Sequence, residues 1–355
     1  MRSTRKSRLR ARTFQSRHRR ETGARPRNPR PRAGRATADP EFSIWLRKSK
    51  VTVDDFSPCF VPSISCGEIH KLFPDILAGR DFKRLVDAIV GARRRRRPVI
   101  FMIGGHVIKT GVSPLLIQLV KENVVTAVAM TGSAAIHDIE IAMWGKTSEE
   151  VEEALRKGVF GMTAETAHFM NRAVAAGFER SQGMGFALGK ALHEAGAPFI
   201  EKSLTGSCYR KGVPLTVHVA IGTDVVHQHP DASGEAIGET SMRDFRLFIS
   251  LVERLRGGVV INMGSAVILP EVFLKAVASV RNKGTRFWPF TAANIDMIQH
   301  YRPLKNVVER PTKIGKNSVG ITLTGHHEIM IPLLTASVLY ELSRGTSLST
   351  LARGK

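Results

Sequence analysis

The sequence predicts an α/β protein built on one doubly wound parallel sheet. Three observations lead there. Short apolar runs rich in β-branched residues recur along the chain, and several end in small residues. Segments with helical spacing separate them. The resulting β-α-β-α rhythm, with no internal repeat, places parallel strands between helices on both faces.

The elements follow in order. Met1–Lys50 carries 17 of the 53 Lys and Arg against three acids, so it holds fourteen of the +22 net charges. Its Arg, Pro and Ser content predicts a disordered basic tail. Three readings fit that tail: an RNA- or surface-binding arm, an organelle transit peptide, or translated sequence upstream of the true start, which is favoured. The ordered domain is expected over 51–355. Cys66–Leu77 and Asp81–Val90 read as helix or loop-plus-helix, and Arg93–Arg97 as a solvated loop before the first core strand.

Pro98–Ile103 is that strand, closed by Gly104-Gly105. Ser113–Asn123 has helical spacing, with Pro114 suited to a first turn. Val124–Met130 is the second strand, closed by Thr131-Gly132-Ser133. Thr147 and Glu150 have capping-box spacing before a helix over Val151–Lys157 that stops at Gly158. Helices are predicted over Thr163–Glu179 and Gly185–Glu194. Strand Val213–Ile221 and helix Ser241–Leu255 follow. Val259–Met263 is the next buried strand, closed by Gly264-Ser265. Helix Pro270–Asn282, strand Arg286–Thr291, strand Ser318–Leu323 and helix Glu328–Leu342 complete the series.

Several function classes are set aside. The three cysteines make no disulfide framework, which suits a reducing compartment, and a cytoplasmic location is expected. No apolar run reaches membrane-spanning length, and no secretory signal is expected.

The small residues after the strands point to a ligand. In doubly wound folds ligands sit outside the carboxyl ends of strands, where glycine admits close backbone approach and helix starts offer N–H groups. His137 and Asp138 follow one such turn, as proton shuttle and anchor candidates. His227-x-His229 and His326-His327 are candidate zinc or other divalent-metal ligands for a hydrolytic site. Lys313, near Lys305, Arg302 and Arg310, is a candidate imine-forming amine.

From Pro98 to the closing helix the chain resembles the deoxyhypusine synthase family. The resemblance is carried by His106–Gly111 after the first strand, Thr131–Asp138 after the second, and Gly212-Val213-Pro214-Leu215. It continues through Met263-Gly264-Ser265-Ala266, Phe290-Thr291-Ala292, Arg302-Pro303 and Ile331-Pro332-Leu333-Leu334. Lys313-Ile314 falls where the family has its catalytic Gly-Lys-Ile. The resemblance implies a Rossmann-like NAD-binding fold, a homo-oligomer (a tetramer) and aminobutyl transfer from a polyamine such as spermidine. The transfer would run through an imine on Lys313 to a protein lysine or a free amine. It also implies an NAD site lined by Gly104, Gly105, His106, Thr131, Gly132, Ser133, Gly264, Ser265, Thr291 and Ala292. The chain departs from the family pattern at Ile136-His137, where the family has acids, and at Met297–Tyr301, which has neither acid nor glycine. The alternatives to this enzyme are the histidine-bound metal hydrolase and a non-enzymatic RNA-associated module using the basic tail.

Overall fold

The computed structural model describes residues 63–351; the expected basic tail over 1–50 lies outside the described residues. After a 3-10 turn at Cys66–Leu72, helix α1 (Leu77–Arg94) leads into β1 (Val99–Ile103). Two helices, α2 (Gly105–Lys109) and α3 (Ser113–Lys121), connect β1 to β2 (Ala127–Thr131). A long excursion follows: α4 (Gly132–Trp144), α5 (Val151–Lys157), α6 (Ala164–Glu179), α7 (Met184–Glu194) and α8 (Leu204–Lys211). Then come β3 (Leu215–His218), α9 (Gly234–Glu253), β4 (Val259–Met263), α10 (Ile268–Asn282) and β5 (Thr291–Asp296). A π-helical segment, Pro303–Glu309, runs into the short α11 (Arg310–Thr312) before β6 (Val319–Thr324) and α12 (His327–Leu351). No described helix is long and apolar enough to cross a membrane.

The six strands form one sheet in the order β3-β2-β1-β4-β5-β6. Every pairing is parallel. This is the Rossmann-like doubly wound order, and the expected fold class is the observed one. β1, β2 and β4 are buried along their whole length, as central parallel strands should be.

Alternation along the strands divides the core. Phe101, Ile103, Val128, Met130, Ile261 and Met263 pack on one face, with side chains from α1, α3, α4 and α12. Ile100, Met102, Ala127, Ala129, Val260 and Ala292 point the other way, against Phe248 and Val252 of α9 and Phe273 and Val277 of α10.

Several expectations differ from the structure. The helix expected over Ser241–Leu255 begins at Gly234, where the Ser233 side chain accepts from Ala236 N and caps it. The fifth strand is Thr291–Asp296, not Arg286–Thr291. Register explains it: Thr291 pairs with Val259 and Ile295 with Met263, so the strand only begins where it was expected to end. The aromatic run before it, Phe287 to Phe290, packs as a cluster under α10. The Thr147/Glu150 capping box does not form either. Glu150 is the N-cap of α5 without a side-chain bond, and the Thr147 hydroxyl is used elsewhere.

Candidate active site

The strand order reverses at β1, with β2 on one side and β4 on the other. The crevice outside the carboxyl ends at such a point is the ligand position of open parallel sheets. Gly104 follows β1 and Gly264 follows β4. Their backbones are in contact: a Cβ on Gly104 would lie 2.0 Å from the Gly264 carbonyl oxygen. Gly264 also has φ +70, a left-handed conformation that favours glycine.

Side chains crowd this junction. His106 stands exposed, its ring centroid 5.6 Å from that of His327. His327 is buried, and its Nε2 lies 3.1 Å from the Ile295 carbonyl, which can only accept. Nε2 therefore carries the proton, and Nδ1 is left as an acceptor without a partner. Burial, above all, holds the His327 pKa below its usual value. On β4, the Asn262 amide donates to Asn294 Oδ1 at 2.7 Å and to the Ser265 carbonyl at 2.9 Å. Its own Oδ1 is buried and unpaired. Two orphaned acceptors thus flank the β4 end, and they suit the amide and hydroxyl donors of a nucleotide. Ser265 itself accepts from Leu269 N at 3.1 Å and so anchors α10.

The end of β2 is organised differently. Thr131 Oγ1 accepts from Ala134 N at 3.2 Å and caps α4, and it lies 2.9 Å from Ser133 Oγ. The Asp224 carboxylate, from the loop after β3, presses on Gly132, where a Cβ would lie 1.9 Å from Oδ2. It accepts the Ser133 amide, while burial pushes its pKa up to about 6. The chain's own carboxylate therefore occupies the anion position at the start of α4. The expectation that Thr131, Gly132 and Ser133 present donors to a phosphate is corrected on this ground. They shape the crevice wall, and Ser133 Oγ lies 2.9 Å from where a Gly105 Cβ would stand.

His137 links this wall to a second space. Its Cδ2 edge lies 3.2 Å from the Gly105 Cβ position. On the other side its Nδ1 lies 2.7 Å from Thr147 Oγ1. The Thr147 hydroxyl in turn donates to Glu140 Oε2, so Nδ1 is the donor to Thr147. Thr166 donates to the other Glu140 oxygen at 3.0 Å. Burial opposes the Glu140 charge, yet the nearby His137 imidazole and the hydrogen bonds from Thr147 and Thr166 outweigh it and hold its pKa below the usual value. Glu140 lines a cleft of about 430 Å³ together with Trp144, Lys146, Glu149 and Glu165. Three carboxylates against the one lysine, with an indole beside them, suit a cationic ligand.

Other expected site residues lie elsewhere. Asp138 is fully buried and turned away from the crevice. Ser203 Oγ and the amides of Leu204 and Thr205 donate to it at 2.7, 2.8 and 2.8 Å. Burial pushes its pKa up, and those hydrogen bonds only partly offset it. It holds the start of α8, which corrects its expected role as a ligand anchor. Thr291 and Ala292 open β5 at the end of the sheet away from the crevice, so they do not line it.

Lys313 lies at that same far end. It follows α11, beside Gly315, which packs on Trp288 shortly before β5. Its side chain is 75% exposed and stands 3.7 Å from Glu309. Within one chain it does not reach the crevice.

The expected histidine metal cluster is not assembled. A 3-10 turn over Val225–Gln228 breaks the extended geometry that would have aligned His227 with His229. His227 accepts from Gly222 N at 3.2 Å and lines a small cavity with Asp224 and Gly132. His326 is exposed beside Glu328, and His327 is buried at β5. Among the described residues, His229 instead meets His168 and Asp231.

No family model matches the chain. No curated protein matches it. Among solved structures it is similar to one described as a LOR/SDH protein from Methanococcus maripaludis S2, at 16% identity over 75% of this chain and 71% of that one, with a TM-score of 0.47. It is similar to AgrE in its ternary complex with ornithine and NAD+, at 16% identity and a TM-score of 0.48, covering 76% of this chain and 34% of that one. The chain thus spans about a third of AgrE. It is also similar to a structure described as a deoxyhypusine synthase from Entamoeba histolytica, at 12% identity over 78% of this chain and 94% of that one, with a TM-score of 0.44. The fold class itself stands on the strand order.

Proposed function

We propose that this protein is an NAD-dependent enzyme that oxidises a cationic amine of the polyamine type. The observation that carries the reading is the chain His137–Thr147–Glu140, which runs from the wall of the β1 crevice to an acid-lined cleft. Gly104, Gly105, His106, Gly264 and Ser265 would hold the dinucleotide at the switch point, with the orphaned Asn262 Oδ1 and His327 Nδ1 beside them. NAD, when bound, supplies a hydride acceptor.

The protein's residues supply the rest. Glu140, Glu149 and Glu165 pair ammonium groups, and Trp144 covers a cationic methylene chain. An ammonium nitrogen has no lone pair, so it must lose a proton before the adjacent C–H can leave as hydride and a C=N bond can form. His137 takes that proton on Nε2. As it becomes cationic, its Nδ1–H is held by Thr147, and Glu140 supplies the compensating negative charge.

Aminobutyl transfer extends the same chemistry: a lysine amine adds to the C=N carbon, the original C–N bond breaks, and the rest of the polyamine leaves as a free amine. Lys313 would serve only if a second copy of the chain brought it to the crevice, which fits the homo-oligomer that the family resemblance implies. The metal-hydrolase alternative loses its ligand set, since His227, His229, His326 and His327 face different surroundings.

The test uses the full chain with NAD+ and spermidine. NADH fluorescence should rise only when both are present, and Glu140→Gln should suppress it while NAD+ still raises the melting temperature. Failure of NAD+ to shift the melting temperature would sink the proposal.

A further inference from the structure

A second cluster lies outside the crevice and the acid-lined cleft. His168 projects from α6, and His229 and Asp231 come from the loop between β3 and α9. One ligand atom from each of the three lies within 4.8 Å of the others. His168 Nδ1 is hydrogen-bonded to Asp231 Oδ2, and His229 Nδ1 is 3.9 Å from that same oxygen. The two imidazoles meet edge to face at 4.5 Å between centroids. Asp231 N donates to His229 Nδ1 at 3.2 Å, so the lone pair of that nitrogen already has a donor, which an ion bound there would replace.

We infer that His168, His229 and Asp231 bind one divalent transition-metal ion of the zinc class. Two imidazoles and a carboxylate are a borderline donor set that suits zinc or cobalt over calcium or magnesium. The ion takes the place of the hydrogen bond between His168 and Asp231. Contraction from 4.8 Å is required, and three partly or fully exposed side chains can supply it by rotation. Arg172, one turn beyond His168, is the charge that opposes the ion; it is exposed and so strongly screened.

The location gives the ion a task. The loop that carries His229 and Asp231 also carries Asp224, which seats on Gly132 at the start of α4. Metal binding ties that loop to α6 and fixes Asp224 in place. The inference is independent of the proposed amine oxidation, because it concerns binding and not turnover.

Co2+ is the probe, added to metal-free full-length protein and followed by its visible absorption, with Zn2+ as competitor. One Co2+ per chain is expected. His168→Ala and Asp231→Asn should each weaken it by about tenfold or more. His326→Ala, an exposed histidine at the start of α12, should leave it unchanged. Hydrogen exchange adds a readout that a loosely held surface ion would not move: Zn2+ should slow exchange of the amides around His229 in the native protein and not in Asp231→Asn. Asp231 is exposed, so that variant retains the fold. Undiminished Co2+ binding in His168→Ala and Asp231→Asn, or equal loss in His326→Ala, overturns the inference.

Discussion

His137 and Glu140 lie one turn apart on α4 and are joined by a hydroxyl that neither provides. Their direct separation is 3.9 Å, too long for a hydrogen bond, and Thr147 Oγ1 closes the gap at 2.7 Å from the imidazole. Thr147 comes from the loop that follows α4, so the relay exists only because that loop folds back over its own helix.

The relay makes a kinetic prediction. Removing the imidazole should cost about 10²- to 10⁴-fold in amine-dependent NADH formation, the range of a lost general base. Thr147→Val keeps the shape and removes the link, so it should lower kcat with little change in the amine KM. Glu140→Gln should raise KM as well, because it removes a carboxylate from the cleft, whereas Thr147, which also lines it, carries no charge. Steady-state kinetics of the three variants separate these cases. Equal effects on KM alone would make His137 a wall residue.

Asp138 carries a different prediction, on stability. It is buried and accepts from Ser203, Leu204 and Thr205 at the first turn of α8. Asp138→Ala leaves those donors without partners and should cost about 3 kcal/mol. A urea titration should show a lower midpoint, while NAD+ binding to the protein that remains folded is unchanged. Intact stability with lost NAD+ affinity would restore the ligand-anchor role.

The fold was legible where the signals were local. β1, β2 and β4 are apolar runs closed by small residues, and they appear within a few positions of where they are expected. β5 was not, because Thr291-Ala-Ala-Asn-Ile-Asp296 has little β-branched character. It is held as a strand by its neighbours: Asn262 pairs with Asn294 across the ladder at 2.7 Å. The louder aromatic run just before it drew the strand too early.

The site was legible in part for a related reason. Gly104, Gly105, Gly264 and Ser265 mark strand ends, which sequence displays directly. Glu140, Trp144, Glu149 and Glu165 come from α4, a loop and α6, and nothing in their spacing announces a common cleft. His227-x-His229 suggested alignment only on the premise of an extended chain, and the 3-10 turn removes it. Asp138 looked like a free acid after a glycine turn because its partners lie 65 to 67 residues away.

The buried acids predict a pH dependence. Asp244 is buried between α9, β3 and α7, accepting from Val217 N at 2.7 Å and Gly185 N at 2.8 Å. Burial pushes its pKa from 3.8 up to about 7, and the two amides only partly offset it. The folded state therefore holds a proton that the unfolded state has lost between those values. Stability from this group falls as pH rises through that window, by at most about 1.4 kcal/mol per pH unit. Asp224, pushed up to about 6, adds to the same slope over a narrower range. Asp244→Asn should flatten the fall in melting temperature between pH 4 and pH 7 relative to the parent protein. An identical slope in both proteins would mean that Asp244 titrates as an ordinary carboxyl.

Lys313 gives the prediction that separates one-chain from two-chain chemistry. Its amine sits at the far end of the sheet, paired loosely with Glu309 and 75% exposed. Amine oxidation within one crevice does not need it, so Lys313→Ala should leave spermidine-dependent NADH formation at its parental rate. Transfer of the aminobutyl group to an acceptor would need it, delivered by a second copy. Radiolabelled spermidine with borohydride trapping distinguishes the two. Label fixed on the parent and absent from Lys313→Ala, with unchanged NADH formation, places the lysine after the oxidation. Loss of NADH formation in the variant would show that the oxidation itself is built across two chains. In that case, mixing Lys313→Ala with His137→Asn should restore activity in the mixed oligomer.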